Sequence, residues 1–151
     1  MAAAKTDATT HSGMTGLIRF VVVTPETTII DTHARSVTLP LFDGSRGVGR
    51  GHAPFIGRLG AGEVRVTGEQ GAPADAVRSV FVEGGFVEVS HDAVTVITQR
   101  AVPAESIDPA TARADLERIL AEKATGDEAL AARQRAADAA RALVRAATRG
   151  R

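Results

Sequence analysis

The residues best suited to chemistry in this chain are a glycine and arginine run and a scatter of histidines and arginines. Gly44-Ser45-Arg46-Gly47-Val48-Gly49-Arg50-Gly51 sets two guanidinium groups among glycines whose amides can lie exposed, the composition of a loop that cradles phosphate. The run lacks the Gly-Lys-Ser/Thr ending of a P-loop and the G-x-G-x-x-G spacing, and it leads into His52-Ala53-Pro54 instead of a helix. It therefore reads as a structural or partner-contacting loop. His11, His33, His52 and His91 form neither a His-x-His pair nor an H-E-x-x-H motif. A metal needs converging ligands, so no metal site is assigned, and His52 reads as a residue that orients a loop by hydrogen bonding. The serines at 36, 45, 79, 90 and 106 lack a nucleophile-elbow context, and no sequence argument sets a base beside them. Six arginines, at 133, 135, 141, 145, 149 and 151, face acids only at 127, 128 and 138. Such a stretch is either a solvated helix face or a surface for an acidic protein partner.

Composition narrows the classes. With 18 basic and 18 acidic side chains the chain has no overall field to attract nucleic acid or an anionic membrane. Five Phe, without Trp or Tyr, leave little material for stacking bases. The absence of cysteine excludes disulfides and thiolate metal sites. Apolar runs such as Phe20 to Val23 are far shorter than the roughly 20 residues of a membrane helix. Residues 1–15 lack the apolar centre of a secretory signal and read as a disordered extension, with Met14 as a second possible start.

These groups must be positioned by two kinds of element. Leu17 to Thr24 is apolar and β-branched and closes at Pro25; Val37, Leu39 and Leu41 alternate with polar residues, Pro40 favouring an edge position. Val64 and Val66 follow an expected turn at Gly60-Ala61-Gly62, and Val77 to Val82 and Phe86 to Val89 flank Gly84-Gly85, an expected hairpin. Val94, Val96 and Thr98 follow a turn at His91 and Asp92. Short strands at close spacing predict an all-β sandwich or flattened barrel over residues 16–102.

Past Pro103 the spacing turns helical, which predicts a two-helix antiparallel hairpin over residues 103–151. Asp108 before Pro109 supplies an N-cap, Leu116, Ile119 and Leu120 form a narrow stripe, Gly126 ends the first helix and Asp127 caps the second. Ala129, Ala132, Ala136, Ala140, Leu143 and Ala147 then share one face. Side chains this small bury little area each, so the hairpin should lean on the β domain weakly enough to undock.

Taken together, the Gly44 to Ile56 segment with its Gly-His-Ala-Pro, the Leu59-Gly60-Ala61-Gly62-Glu63-Val64-Arg65-Val66 segment, and Phe81-Val82-Glu83-Gly84-Gly85-Phe86-Val87-Glu88-Val89 resemble the epsilon subunit of F-type ATP synthases. The likeness covers about residues 16–148 and includes the order of β domain, connection and two helices. It implies a non-catalytic rotor subunit, peripheral to the cytoplasmic face of the cell membrane through its complex, without a cofactor. The β domain would bind the gamma subunit near Gly51, His52 and Pro54 and rest Gly44, Ser45, Arg46 and Gly47 on the ring of c subunits. Helices that extend toward the alpha and beta subunits would restrain ATP hydrolysis, with Arg133, Arg141 and Arg145 as candidate contacts. Two departures matter: Ser45-Arg46 stands where the ring-facing loop often carries an acid, and Gly49-Arg50 replaces Leu-Pro or Tyr-Pro. Some bacterial members bind ATP through Ile/Leu-Asp-x-x-Arg-Ala; Ile107 and Asp108 match it, but Thr111 stands at the arginine, which argues against ATP sensing.

Two other classes compete with this reading. One is a free-standing β-sandwich ligand-binding module with a helical lid, its mouth at Gly44 to Gly51. The other is a hydrolase using His52 and the arginines.

Overall fold

A computed structural model describes residues 16–149; the readings of residues 1–15, including His11 and Met14, and of Arg151 fall outside these. Ile18–Val23 (β1), Thr28–Leu41 (β2), Gly44–Gly49 (β3), Phe55–Glu69 (β4), Val77–Ser90 (β5), Ala93–Ile97 (β6) and Ala101–Pro103 (β7) form one sheet, followed by a 3-10 turn, Ala104–Ser106. Two helices complete the chain, Pro109–Ala121 (α1) and Asp127–Arg149 (α2).

The sheet closes on itself. β1 pairs antiparallel with β2 and parallel with β6, and the circuit returns through β5 and β4 to β2, while β3 and β7 flank β2 and β5. This is the flattened barrel expected from the strand pattern, and closure leaves few open edges. Alternation sets the inside: Ile18, Phe20 and Val22, Val64 and Val66, Val87 and Val89, and Val94 and Val96 are buried in one core.

Three strands run far past the usual five or six residues: β2 and β5 have 14 and β4 has 15. Glycines let these strands bend between the two layers, and here the structure corrects the sequence reading. Gly84-Gly85 is not a hairpin; both residues lie inside β5 with φ of +78° and +113°. At this bend β5 changes partner, from β6 (Phe86 opposite Ile97) to β7 (Val82 opposite Ala101). A Cβ on Gly85 would lie 2.0 Å from the Ile97 carbonyl oxygen. Gly60-Ala61-Gly62 likewise lies within β4, with Gly62 packed so closely on Pro40 that a Cβ would sit 2.8 Å from its ring.

Pro40 is not on an edge strand. β2 lies between β3 and β4, and the ladder to β4 breaks between Thr38 and Leu41, where a missing N–H is tolerated. The expected His91-Asp92 turn is present, with both residues at positive φ, 49° and 58°, between paired Ser90 and Ala93.

The helices form the expected hairpin with shifted punctuation. Asp108 caps α1, its carboxylate accepting from the Thr111 N–H at 3.0 Å. α1 ends at Ala121, five residues before Gly126, and it is Gly126, not Asp127, whose carbonyl accepts the first bond of α2, from the Leu130 N–H at 3.0 Å. Asp127 and Glu128 occupy the first turn, where carboxylates oppose the helix dipole favourably. The buried face of α2 is Ala137, Ala140, Ala142, Ala146 and Ala147, whereas Ala129, Ala132 and Ala136 are exposed. Only the C-terminal half of α2 therefore lies on the sheet, where Ala142 and Ala146 pack with Phe81 of β5.

Candidate docking surface

The residues singled out around the glycine run meet at one end of the barrel. Leu41 pairs with Gly44 across a two-residue turn, Phe42-Asp43, and Gly44 takes φ +139°. Gly44, Ser45, Arg46 and Gly47 are thus not a loop but the four exposed residues that open edge strand β3.

Gly51 turns the chain at φ +74°, and its N–H donates to Asp92 Oδ1 at 2.7 Å. Arg50 Nε lies 3.7 Å from the other oxygen of Asp92, and the His52 N–H donates to the Gly49 carbonyl at 3.3 Å. His52 Nδ1 lies 2.8 Å from the Ala53 carbonyl oxygen, which can only accept, so Nδ1 carries the proton. This is a loop-orienting bond, the role assigned to His52 from sequence. Phe55 joins the two candidate sets: its ring centroid is 5.4 Å from that of His52 and 5.1 Å from the Arg46 guanidinium carbon. Pro54 is exposed beside them.

The sequence reading missed a row beside this turn. On the outer face, Arg58 of β4 stands opposite Phe86 of β5, and Phe86 opposite Ile97 of β6. Phe42 extends the row, its N–H donating to the Arg58 carbonyl at 2.9 Å and its ring lying 4.2 Å from the Arg58 guanidinium carbon. Phe42, Ile56, Phe86 and Ile97 are 69%, 78%, 57% and 56% exposed. Large apolar groups gathered in this way mark an interaction surface, where single exposed ones would not. Their signal in the sequence is phase: Ile56, Phe86 and Ile97 occupy the outward phase of strands whose inward positions are Leu59, Val87 and Val96.

Elsewhere two of the candidate arginines make contacts within the helical hairpin. Arg133 Nη1 donates to the Glu122 carbonyl at 2.8 Å and covers the end of α1; Arg141 pairs with Asp138 at 2.9 Å. Arg145 is exposed and lines a groove between α2 and the sheet with Ser45, Glu63 and Arg65. Ile107 packs in the Phe81 cluster. Ile107 and Asp108 line a groove of about 270 Å³ with Arg100, Thr111 and Leu143, and none of Arg133, Arg141 and Arg145 is among its lining residues. Asp108 Oδ2 accepts from both the N–H and the hydroxyl of Thr111, the residue at the arginine position.

The structure does set a base beside two of the serines: Ser79 Oγ donates to Glu63 Oε1 at 2.5 Å across β4 and β5, and His91 Nδ1 lies 2.8 Å from Ser90 Oγ. Ser90 and His91 are sequence neighbours at an exposed turn. Among the described residues no grouping could hold a metal ion, and no helix is long and apolar enough to cross a membrane.

The family model for the ATP synthase Delta/Epsilon chain beta-sandwich domain matches residues 17–104. The ATP synthase epsilon chain of Rhodopirellula baltica is 50% identical over 91 residues, covering 60% of this chain and 67% of the relative. That of a Synechococcus strain is 36% identical over 143 residues, 91% of this chain and 96% of the relative. Among solved structures, a chain of the Euglena gracilis mitochondrial ATP synthase, OSCP/F1/c-ring in rotational state 1, superposes with a TM-score of 0.73 at 21% identity, covering 96% of this chain and 90% of that one. A chain from the Tetrahymena thermophila mitochondrial ATP synthase central stalk and c-ring gives 0.63 at 13%, over 85% and 95%. At these identities the structures show a shared fold.

Proposed function

Because this chain belongs to the delta/epsilon family of ATP synthases, as an epsilon chain, we propose that it is a non-catalytic rotor subunit. It would couple rotation of the c-subunit ring to the F1 head and restrain ATP hydrolysis through its helices. The observation that carries this reading is the exposed row Phe42, Arg58, Phe86 and Ile97 beside the Gly51 to Pro54 turn. A barrel with an apolar outer face is suited to gripping another protein.

In this reading the outer row and the Gly51, His52 and Pro54 turn grip the gamma subunit, and the tip of the β2–β3 hairpin with Gly44, Ser45, Arg46 and Gly47 rests on the c ring. The protein then sits at the membrane periphery, on the cytoplasmic face, through its complex. The alanine contact between α2 and Phe81 supports a two-state helix pair, since small side chains give a docking free energy that modest competing contacts can overcome. When extended, the helices would present Arg133, Arg141 and Arg145 to acidic segments of the alpha and beta subunits.

Reconstitution tests the reading. Full-length chain added to an ATP synthase assembly stripped of it should bind stoichiometrically and lower ATP hydrolysis, whereas a chain ending at Ile107, which keeps β7, should bind and not restrain. Failure of the full chain to bind would refute the rotor role; restraint by the shortened chain would refute the helices' part in it.

A further inference from the structure

Arg58 occupies an unusual place on the docking face. Its guanidinium lies 4.2 Å from the exposed Phe42 ring, its cross-strand neighbour is Phe86, and the row continues to Ile97. Stacking on a phenyl ring holds a guanidinium flat and leaves its N–H edge directed away from the ring. Among the described residues no carboxylate comes within ion-pair distance of it; Glu88, in the next row opposite Ile56, makes no ion pair with it.

Any partner that covers Phe42, Phe86 and Ile97 must also take Arg58 out of water. A desolvated guanidinium without an acceptor is strongly unfavourable, whereas one met by a carboxylate in bidentate geometry is not. Arginine framed by aromatic rings is also a frequent anchor of protein interfaces. We propose that the protein seated on this face presents an acidic side chain, Asp or Glu, to the Arg58 guanidinium, and that this pair fixes the register of docking. The inference rests on the docking role proposed above and adds the chemistry of the partner: an apolar patch with a carboxylate at its centre. A protein acid is favoured over a lipid headgroup because the apolar side chains are held in one row by the pairing of β4, β5 and β6, a fixed array that complements another packed surface.

The test is titration of the full-length chain and its variants into the stripped assembly, with melting temperatures recorded for each. Phe86→Ala should weaken binding, and Arg58→Gln should weaken it by about thirtyfold or more, as truncation of one member of a buried charged pair does. Arg58→Glu should abolish binding, and a lysine replacing one acidic residue of the partner should restore it. Arg58→Gln within about twofold of the parent, alongside a weakened Phe86→Ala, would overturn the acidic-partner inference and leave the docking face standing. Unchanged binding by both variants would remove the docking face and the inference with it. Arg58-dependent binding of the chain to phosphatidylglycerol vesicles, with assembly binding unaffected by Arg58→Gln, would replace the protein acid with a lipid headgroup.

Discussion

The Asp92 carboxylate accepts a hydrogen bond from the Gly51 N–H at 2.7 Å, across 41 residues of sequence. Asp92 thereby ties the turn that carries His52 and Pro54 to the β5–β6 hairpin, while its own carbonyl accepts from the Arg19 N–H of β1 at 2.9 Å. One residue at positive φ holds three parts of this end of the barrel together.

Asp92→Ala should cost about 1–2 kcal/mol, from the lost bond to Gly51 and from alanine in a left-handed conformation. Asp92→Asn, which keeps an acceptor and tolerates that conformation, should cost less than about 0.5 kcal/mol. Urea denaturation of the two variants checks the ordering; equal losses would refute a role for the acceptor.

The bend in β5 predicts a sharp contrast between two glycines. Gly85→Ala drives a methyl group into the Ile97 carbonyl at a positive φ, and should cost about 3 kcal/mol or more, or prevent folding. Gly47→Ala meets nothing within 4 Å and should change stability by less than about 0.5 kcal/mol. Thermal melts of both variants decide it.

Arg19 and Asp31 form a bidentate pair across β1 and β2, at 3.0 and 2.8 Å. The bond from Arg19 holds the Asp31 carboxyl below its ordinary range. A carboxyl whose folded pKa is depressed contributes stability above its unfolded pKa and loses it as pH falls through the folded value. The stability difference between parent and Asp31→Asn should therefore be constant above about pH 5 and vanish in strong acid. Because both groups are half-exposed, the difference should be small and decrease with salt. Denaturation at stepped pH measures it; a difference that grows on acidification would contradict the assignment.

Ala146, on the sheet-facing side of α2, is wholly buried against Phe81. Ala146→Glu should release α2, since a carboxylate cannot be buried there without a partner, while the barrel core remains folded. Hydrogen exchange should show lost protection confined to the helices. Under the proposed function, the released helices should also strengthen restraint of ATP hydrolysis in the reconstituted assembly.

Much of this protein is local and therefore readable in one dimension. Alternation of valines with polar residues is a property of neighbouring positions, and it marks most of the β segments and their inward faces, though not β3 or β7; Asp108-Pro109 marks the start of α1, whereas the alanine spacing marks a helix but not its buried face, since Ala129, Ala132 and Ala136 are exposed. The glycines were misread for a physical reason. A glycine pair in sequence permits either a turn or a bend, and only closure of the barrel, which requires β4 and β5 to pass between layers, selects the bend at Gly84-Gly85. The exposed outer row was hidden for a related reason: Phe42, Arg58, Phe86 and Ile97 come from a hairpin tip and three strands, and pairing register aligns them. Residue alternation alone specified what most strands bury; tertiary pairing decided what the assembled surface exposes, because exposure at a barrel end depends on strands far apart in the chain.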